Sequence, residues 1–240
     1  MYGYKDDSSG STKSTDYSLL DRSPSETLLY VMDELDTLPT ESRVLDLGCG
    51  DGTLEHHAGS NRNYSFTSID LEPAAIDKLQ ETFLEQENGK DIALVGDITK
   101  LDQMTDIKDE KYDVVVSWRV LHGIAPEYYR DIFKNIHDLL KPNAKVFITV
   151  ASSADWKAVA LGDTYSPQGI NDCSGIMFRN YGIERHTPFP VHFFSKEELQ
   201  TIGEENGFTL KAVSTFEEPS GYAHLQDRLN TYIFAEFTLN

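Results

Sequence analysis

Apolar positions along this chain keep two alternating rhythms. After a Ser-Pro-Ser start, Leu28, Leu29, Val31, Met32, Leu35 and Leu38 recur at helical spacing and Pro39 follows, which predicts an amphipathic helix over one face of a sheet. Beyond it lie short apolar runs, "RVLDLGC", "YSFTSIDLE", "DIALVGD", "YDVVVSW" and "AKVFITVAS", which predict strands, with helices beginning near Gly52, Pro73 and Pro126 between them. Runs apolar at nearly every position suit strands buried on both faces. Their alternation with helices predicts right-handed crossovers in a parallel sheet of an α/β fold. Each run ends at a polar or acidic residue. Ligands bind beyond the carboxyl ends of such strands, so these endings are expected to share one edge and form one site.

The regularity fails after Ser152 for about forty residues, a length that in a compact domain is functional or disordered. Its aromatic and histidine content argues against disorder. Order resumes at "SKEELQTIGEENGF", where Ser195 caps a helix with Glu198 at the capping-box position and Gly207 near the end; two final strands follow in "TLKAVSTFE" and "TYIFAEFTLN". At the other end, residues 1 to about 16 are too polar to repay their ordering by burial. The expected organisation is a flexible arm or lid at residues 1–23 and one domain at 24–240 carrying a substrate-lid insertion at about 153–194.

Composition narrows the function. The chain has 240 residues, 39% hydrophobic and 11% aromatic, enough apolar material for one substantial core. A formal net charge of -19 repels phosphate backbones and anionic membranes, so neither nucleic acid nor a membrane is an expected partner. The two cysteines, Cys49 and Cys173, are expected to be free thiols, because a disulfide at Cys49 would stiffen a glycine loop. With no leader pattern and no apolar run of membrane-spanning length, a cytoplasmic location is expected, as monomer or homodimer. No His/Cys/Asp cluster has metal-ligand spacing, and no metal is expected.

The chemistry concentrates in "RVLDLGCGDGTLE". A strand, a bare glycine turn and a helix start let backbone N–H groups approach a ligand closely. The dinucleotide fingerprint is G-x-G-x-x-G, whereas Gly48, Gly50 and Gly52 alternate as G-x-G-x-G, and Asp46 at the entrance would repel a pyrophosphate. A ligand with a positive group fits better. The stretch "VLDLGCGDG" resembles the first motif of the class I S-adenosylmethionine-dependent methyltransferases, small-molecule type. The likeness extends to "SIDLEP", "GDI", "LLKPNAKVFITV" and the terminal "FFSKEEL…GF" pair, so it covers roughly Arg43 to Asn240 apart from the insertion.

That resemblance implies a Rossmann-like, seven-stranded, mostly parallel sheet with helices on both faces and an antiparallel last strand. It implies S-adenosylmethionine as cofactor, with Asp46, Gly48 and Gly50 holding its methionine part near the ammonium or sulfonium charge. Asp70 would take the ribose hydroxyls, Asp97 and the backbone at Ile98 would meet the adenine edge, Leu71 would pack on its face, and Ser117 would lie near the methyl. Transfer to a hydroxyl or protonated amine also requires a proton to leave, and His122, just past the fourth strand, is the candidate base. Tyr17, Trp118, Arg119, Phe178, Tyr181, His186 and His192 are the candidate acceptor contacts. Their aromatic character points to a small, planar or apolar molecule with an O or N nucleophile. Two rival readings are a non-catalytic S-adenosylmethionine-binding or partner protein and a nicotinamide-dependent oxidoreductase.

Overall fold

The computed structural model describes residues 24–87, 89–156, 158, 165–166, 169–170, 191–219 and 229–239. The arm at 1–23 and most of the insertion lie outside the described residues, and with them Tyr17, Phe178, Tyr181, His186 and Cys173.

Seven strands form one sheet: β1 (Ser42–Leu47), β2 (Tyr64–Asp70), β3 (Ile92–Val95), β4 (Tyr112–Trp118), β5 (Leu140–Ala151), β6 (Phe208–Pro219) and β7 (Leu229–Leu239). Their order across the sheet is β3-β2-β1-β4-β5-β7-β6, with β1 to β5 mutually parallel and β7 antiparallel to both its neighbours. The order reverses between β1 and β4, where the two crossover directions diverge and open a crevice at the carboxyl edge. Among the described residues no helix is long and apolar enough to cross a membrane.

Each helix forms where local chemistry allows it. Ser25 accepts the Leu28 N–H at 3.2 Å to start α1 (Glu26–Asp36), which buries Leu28, Val31 and Leu35. Gly52 precedes the short α2 (Thr53–Ala58). Pro73 opens α3 (Pro73–Glu85), where its missing N–H costs nothing, and Ile76, Leu79 and Phe83 turn inward. Tyr129, Ile132, Phe133, Ile136 and Leu139 line the buried face of α4 (Tyr129–Leu139). Ser195 caps α5 (Lys196–Glu205) through the Glu198 N–H at 3.0 Å, while the Glu198 carboxylate pairs with His192 Nε2 at 2.8 Å.

Strand alternation divides the core. Leu45, Leu47, Val115 and Ile148 face α4 and α5, whereas Val44, Val114, Val116 and Phe147 face α1, α2 and α3. Two expectations shift. β3 is not buried on both faces: Ile92 and Val95 are exposed because it is a four-residue edge strand. β5 starts at Leu140 instead of Ala144, pairing with Tyr112 across an irregularity that holds Asn143 at φ 64°.

Candidate active site

The glycine turn after β1 is latched to the end of β2. The N–H groups of Gly48 and Cys49 both reach the Ile69 carbonyl, at 2.7 and 3.1 Å, and the Gly50 N–H reaches the Asp70 carboxylate at 2.9 Å. Asp70 uses its second oxygen for the Glu72 N–H at 2.9 Å, and its carbonyl accepts the Gly96 N–H at 2.8 Å. One residue thus ties together the glycine turn, the start of α3 and the segment after β3. The glycines play different parts. A Cβ on Gly48 would lie 2.4 Å from a Val120 methyl, so that position serves packing. A Cβ on Gly50, whose φ is 57°, would meet nothing within 4 Å. The turn is therefore bare and open at Gly50, at the edge where β1, β2 and β4 end.

Asp46 is not an exposed carboxylate. It is 3% exposed and its side chain points to the α2 face, near the carboxyl of Glu55, itself 0% exposed, and one oxygen of each is buried without a hydrogen-bond partner. The Ser68 hydroxyl donates to Glu55. Burial pushes the Glu55 carboxyl up to about 7, against the Ser68 hydrogen bond and the Arg62 charge, which favour the anion. Burial, together with the charges of Glu55 and Asp70, holds Asp46 well above the usual carboxylate range. Cys49, buried beside the same carboxyls, has its thiol pushed up, which suppresses thiolate chemistry. Glu55 and Ser68 carry no motif in the sequence; only their packing beneath the turn reveals them.

Farther along the edge, Asp97 caps the 3₁₀ turn Ile98–Gln103. Burial would raise its carboxyl, but the Thr99 hydroxyl at 2.6 Å, the Thr99 N–H at 3.0 Å and Lys100 hold it below the usual range. Its side chain is committed to the turn. Ile98 is buried in the core, whereas Leu71 is 64% exposed directly after Asp70. Ser117, at the end of β4, is fully buried with its hydroxyl unpaired.

Past β4 the chain turns sharply. Arg119 has φ 65°, a strained value for a residue with a side chain, and is fixed there by its N–H on the Thr149 carbonyl at 2.8 Å. Its guanidinium lies 4.5 Å from the Trp118 ring and 4.3 Å from the Tyr232 ring, and it forms an ion pair with Glu218. Tyr232 and Glu218 come from the last two strands, about a hundred residues later, and sequence spacing could not pair them with Arg119. His122 sits in the 3₁₀ turn Leu121–Gly123, its Nδ1 accepting the Ala151 N–H at a long 3.4 Å and its carbonyl accepting the His192 N–H at 2.8 Å. An accepting Nδ1 places the neutral ring's proton on Nε2. His192 is 7% exposed, wedged against Tyr129 and Phe194 and bonded to Glu198, so it anchors the far end of the insertion to α4 and α5.

A mostly parallel sheet with this strand order, a bare turn after β1 and an acid ending β2 forms the ligand edge of a nucleoside-cofactor fold, and comparison with known proteins names the family. The methyltransferase-domain family model matches residues 21–213, and the chain belongs to that family, the class I S-adenosylmethionine-dependent methyltransferases, enzymes whose cofactor is S-adenosylmethionine. The chain is 28% identical over 151 residues to the ubiquinone biosynthesis O-methyltransferase of Histophilus somni, covering 60% of this chain and 62% of that one. It is 24% identical over 194 residues to the tRNA(Thr) (cytosine(32)-N(3))-methyltransferase of Saccharomyces cerevisiae, covering 78% of this chain and 28% of that one. It thus spans less than two thirds of the length of either relative. Among solved structures, the magnesium protoporphyrin IX methyltransferase of Synechocystis with bound S-adenosylhomocysteine shares the fold, with a TM-score of 0.60 at 15% identity over 89% of this chain and 82% of that one.

Proposed function

We propose that the chain binds S-adenosylmethionine at the carboxyl edge of the sheet and catalyses methyl transfer to an oxygen or nitrogen nucleophile of a small, planar or apolar molecule. The observation that carries this is the Gly50 turn, open to space and latched by its N–H to the acid that ends β2. The residues fit the cofactor. Asp70 spends one acceptor site of each oxygen on backbone and keeps the rest for hydroxyls. The acid cluster beneath the turn favours a cation, exposed Leu71 offers an apolar face, and the orphaned Ser117 hydroxyl awaits a polar partner.

A bound cofactor would supply a methyl group on a cationic sulfur, which the acceptor's nucleophile would take in line as the neutral thioether leaves. The turn and Asp70 would hold and orient the cofactor. Arg119, set between Trp118 and Tyr232, presents a rigid wall to the acceptor. His122 takes the proton of a hydroxyl or ammonium acceptor, which requires Nδ1 to release the Ala151 N–H or the ring to change tautomer.

The two sequence relatives act on different substrate classes, as their names state. The net charge of -19 favours the small molecule over RNA, and it suits a cytoplasmic enzyme. The test is calorimetry with S-adenosylmethionine and S-adenosylhomocysteine, followed by turnover assays on phenols, amines and tRNA. Cofactor consumption with a phenol or amine supports the reading; methylation of tRNA alone overturns the acceptor class.

A further inference from the structure

The turn that carries His122 is gripped by residues from two other elements. Tyr129, the first residue of α4 and 3% exposed, brings its hydroxyl to the Leu121 carbonyl at 3.1 Å and to the Ile124 carbonyl at 3.0 Å, the two that bracket His122. A hydroxyl has one proton, so it donates to either carbonyl with both in reach. The Leu121 carbonyl also accepts the Ile124 N–H at 3.0 Å, which closes the turn, and the His122 carbonyl accepts the His192 N–H at 2.8 Å. The two grips form one body: the Tyr129 ring lies 5.7 Å from the His192 ring and 5.1 Å from that of Phe194, while His192 Nε2 is bonded to Glu198 at 2.8 Å. Phe194 ties this body to the end of β5, its N–H on the Ala151 carbonyl at 2.9 Å and its carbonyl accepting the Ser153 N–H at 2.7 Å. The Ala151 N–H in turn reaches His122 Nδ1 at 3.4 Å, too long to fix the ring's direction by itself. Where the imidazole points therefore depends on where the turn sets its Cα.

We propose that Tyr129 is a positioning residue for methyl transfer: its hydroxyl pins the Leu121–Gly123 turn on both sides of His122 and so sets where the imidazole is presented at the carboxyl edge. The inference rests on the proposed role of His122 as base and deepens it. A base works only within hydrogen-bond reach of the proton it takes, about 2.6–3.2 Å, and a misplacement of about 1 Å lowers a rate by as much as about a hundredfold. Tyr129 acts through the backbone of the turn. Its neighbour Tyr128, 42% exposed, has the same side chain without this grip and provides the control.

The test is steady-state kinetics of the full chain with S-adenosylmethionine and, in turn, catechol and benzylamine as acceptors, reading the S-adenosylhomocysteine formed. Tyr129→Phe keeps the ring against His192 and Phe194 and removes only the hydroxyl. It should lower kcat about tenfold while KM for S-adenosylmethionine stays within about twofold, and Tyr128→Phe should match wild type. In a His122→Asn background, adding Tyr129→Phe should change nothing further, because its effect passes through His122. A full rate in Tyr129→Phe, or an equal loss with and without His122, overturns this inference alone; a wild-type rate in His122→Asn overturns the base and this inference with it. The nitrogen–proton NMR signals of the His122 imidazole, assigned by their loss in His122→Asn, need no acceptor. They should move in Tyr129→Phe and stay in place in Tyr128→Phe, and unmoved signals in Tyr129→Phe overturn the inference even if neither probe is methylated.

Discussion

The Asp70 carboxylate accepts the Gly50 N–H with one oxygen and the Glu72 N–H with the other, both at 2.9 Å. The residue expected to bind ribose thus also shapes the turn that receives the rest of the ligand. Asp70→Ala should weaken cofactor binding by more than lost ribose contacts alone. Hydrogen bonds to a charged group are worth about 1.5–3 kcal/mol each, so a loss of at least tenfold is expected. Asp70→Asn should lose less, since its amide oxygen still accepts one backbone N–H. Calorimetry on the two variants checks the order, and equal affinity in wild type and Asp70→Ala would remove Asp70 from the site.

The glycines should separate stability from binding. Gly48→Ala drives a Cβ to 2.4 Å from Val120 and should destabilise by about 2–4 kcal/mol. Gly50→Ala has room for its Cβ and should cost only about 1 kcal/mol for its left-handed backbone. Its effect should fall on ligand affinity. Urea melts paired with calorimetry read the two quantities, and Gly48→Ala combined with Val120→Ala should recover part of the first loss.

Stability should fall as pH rises through the range where the buried acid pair titrates. The folded value for Glu55 is about 7 against an ordinary 4.5, so between these values the folded state binds more protons than the unfolded one. Unfolding free energy then decreases from about pH 4.5 to about pH 7, by about 3 kcal/mol for Glu55 alone. Thermal melts of Glu55→Gln should show a smaller decline, with buried Asp46 alone contributing, and exceed wild type at pH 8. A wild-type Tm that climbs over the same window would contradict the buried pair.

Arg119→Met keeps length and apolar contact but removes the charge between Trp118 and Tyr232 and leaves Glu218 without its partner. Two ring contacts and a partly buried ion pair together suggest a loss of about 1–3 kcal/mol. If the assembly walls the acceptor pocket, KM for the acceptor should rise while cofactor affinity stays within about twofold. Urea denaturation and steady-state kinetics measure these separately.

His122→Asn should lower kcat by about 10²-fold if the ring is the base, remove the acidic limb of the pH–rate profile, and leave cofactor affinity intact. An unchanged profile would mark His122 as a residue that merely joins the fourth strand's exit to the end of β5.

Periodicity made the sheet legible in the sequence, because a strand buried on both faces must be apolar throughout and a helix beside it must repeat near 3.6. It failed at β3, where an edge position tolerates exposed Ile92 and Val95, and at the start of β5, where a bulge carries Lys141 and Asn143. The glycine turn and the acid at Asp70 were legible because their spacing is local. Glu55 and Glu218 were not. Each acts by meeting a residue on another element, and a lone acid in a helix or strand looks like any solvated one.

The placement of β7 has a bearing on how the molecule is made. β7 lies between β5 and β6, so β6, although synthesised first, has no neighbour in the sheet until β7 has left the ribosome. Until then β5 presents an open row of N–H and C=O groups, on which charged Lys145 disfavours the docking of foreign strands. Glu218 and Tyr232 arrive with this same pair. The wall around Arg119 is thus completed only when this strand pair arrives, and a nascent chain can hold a finished glycine turn well before it has that wall.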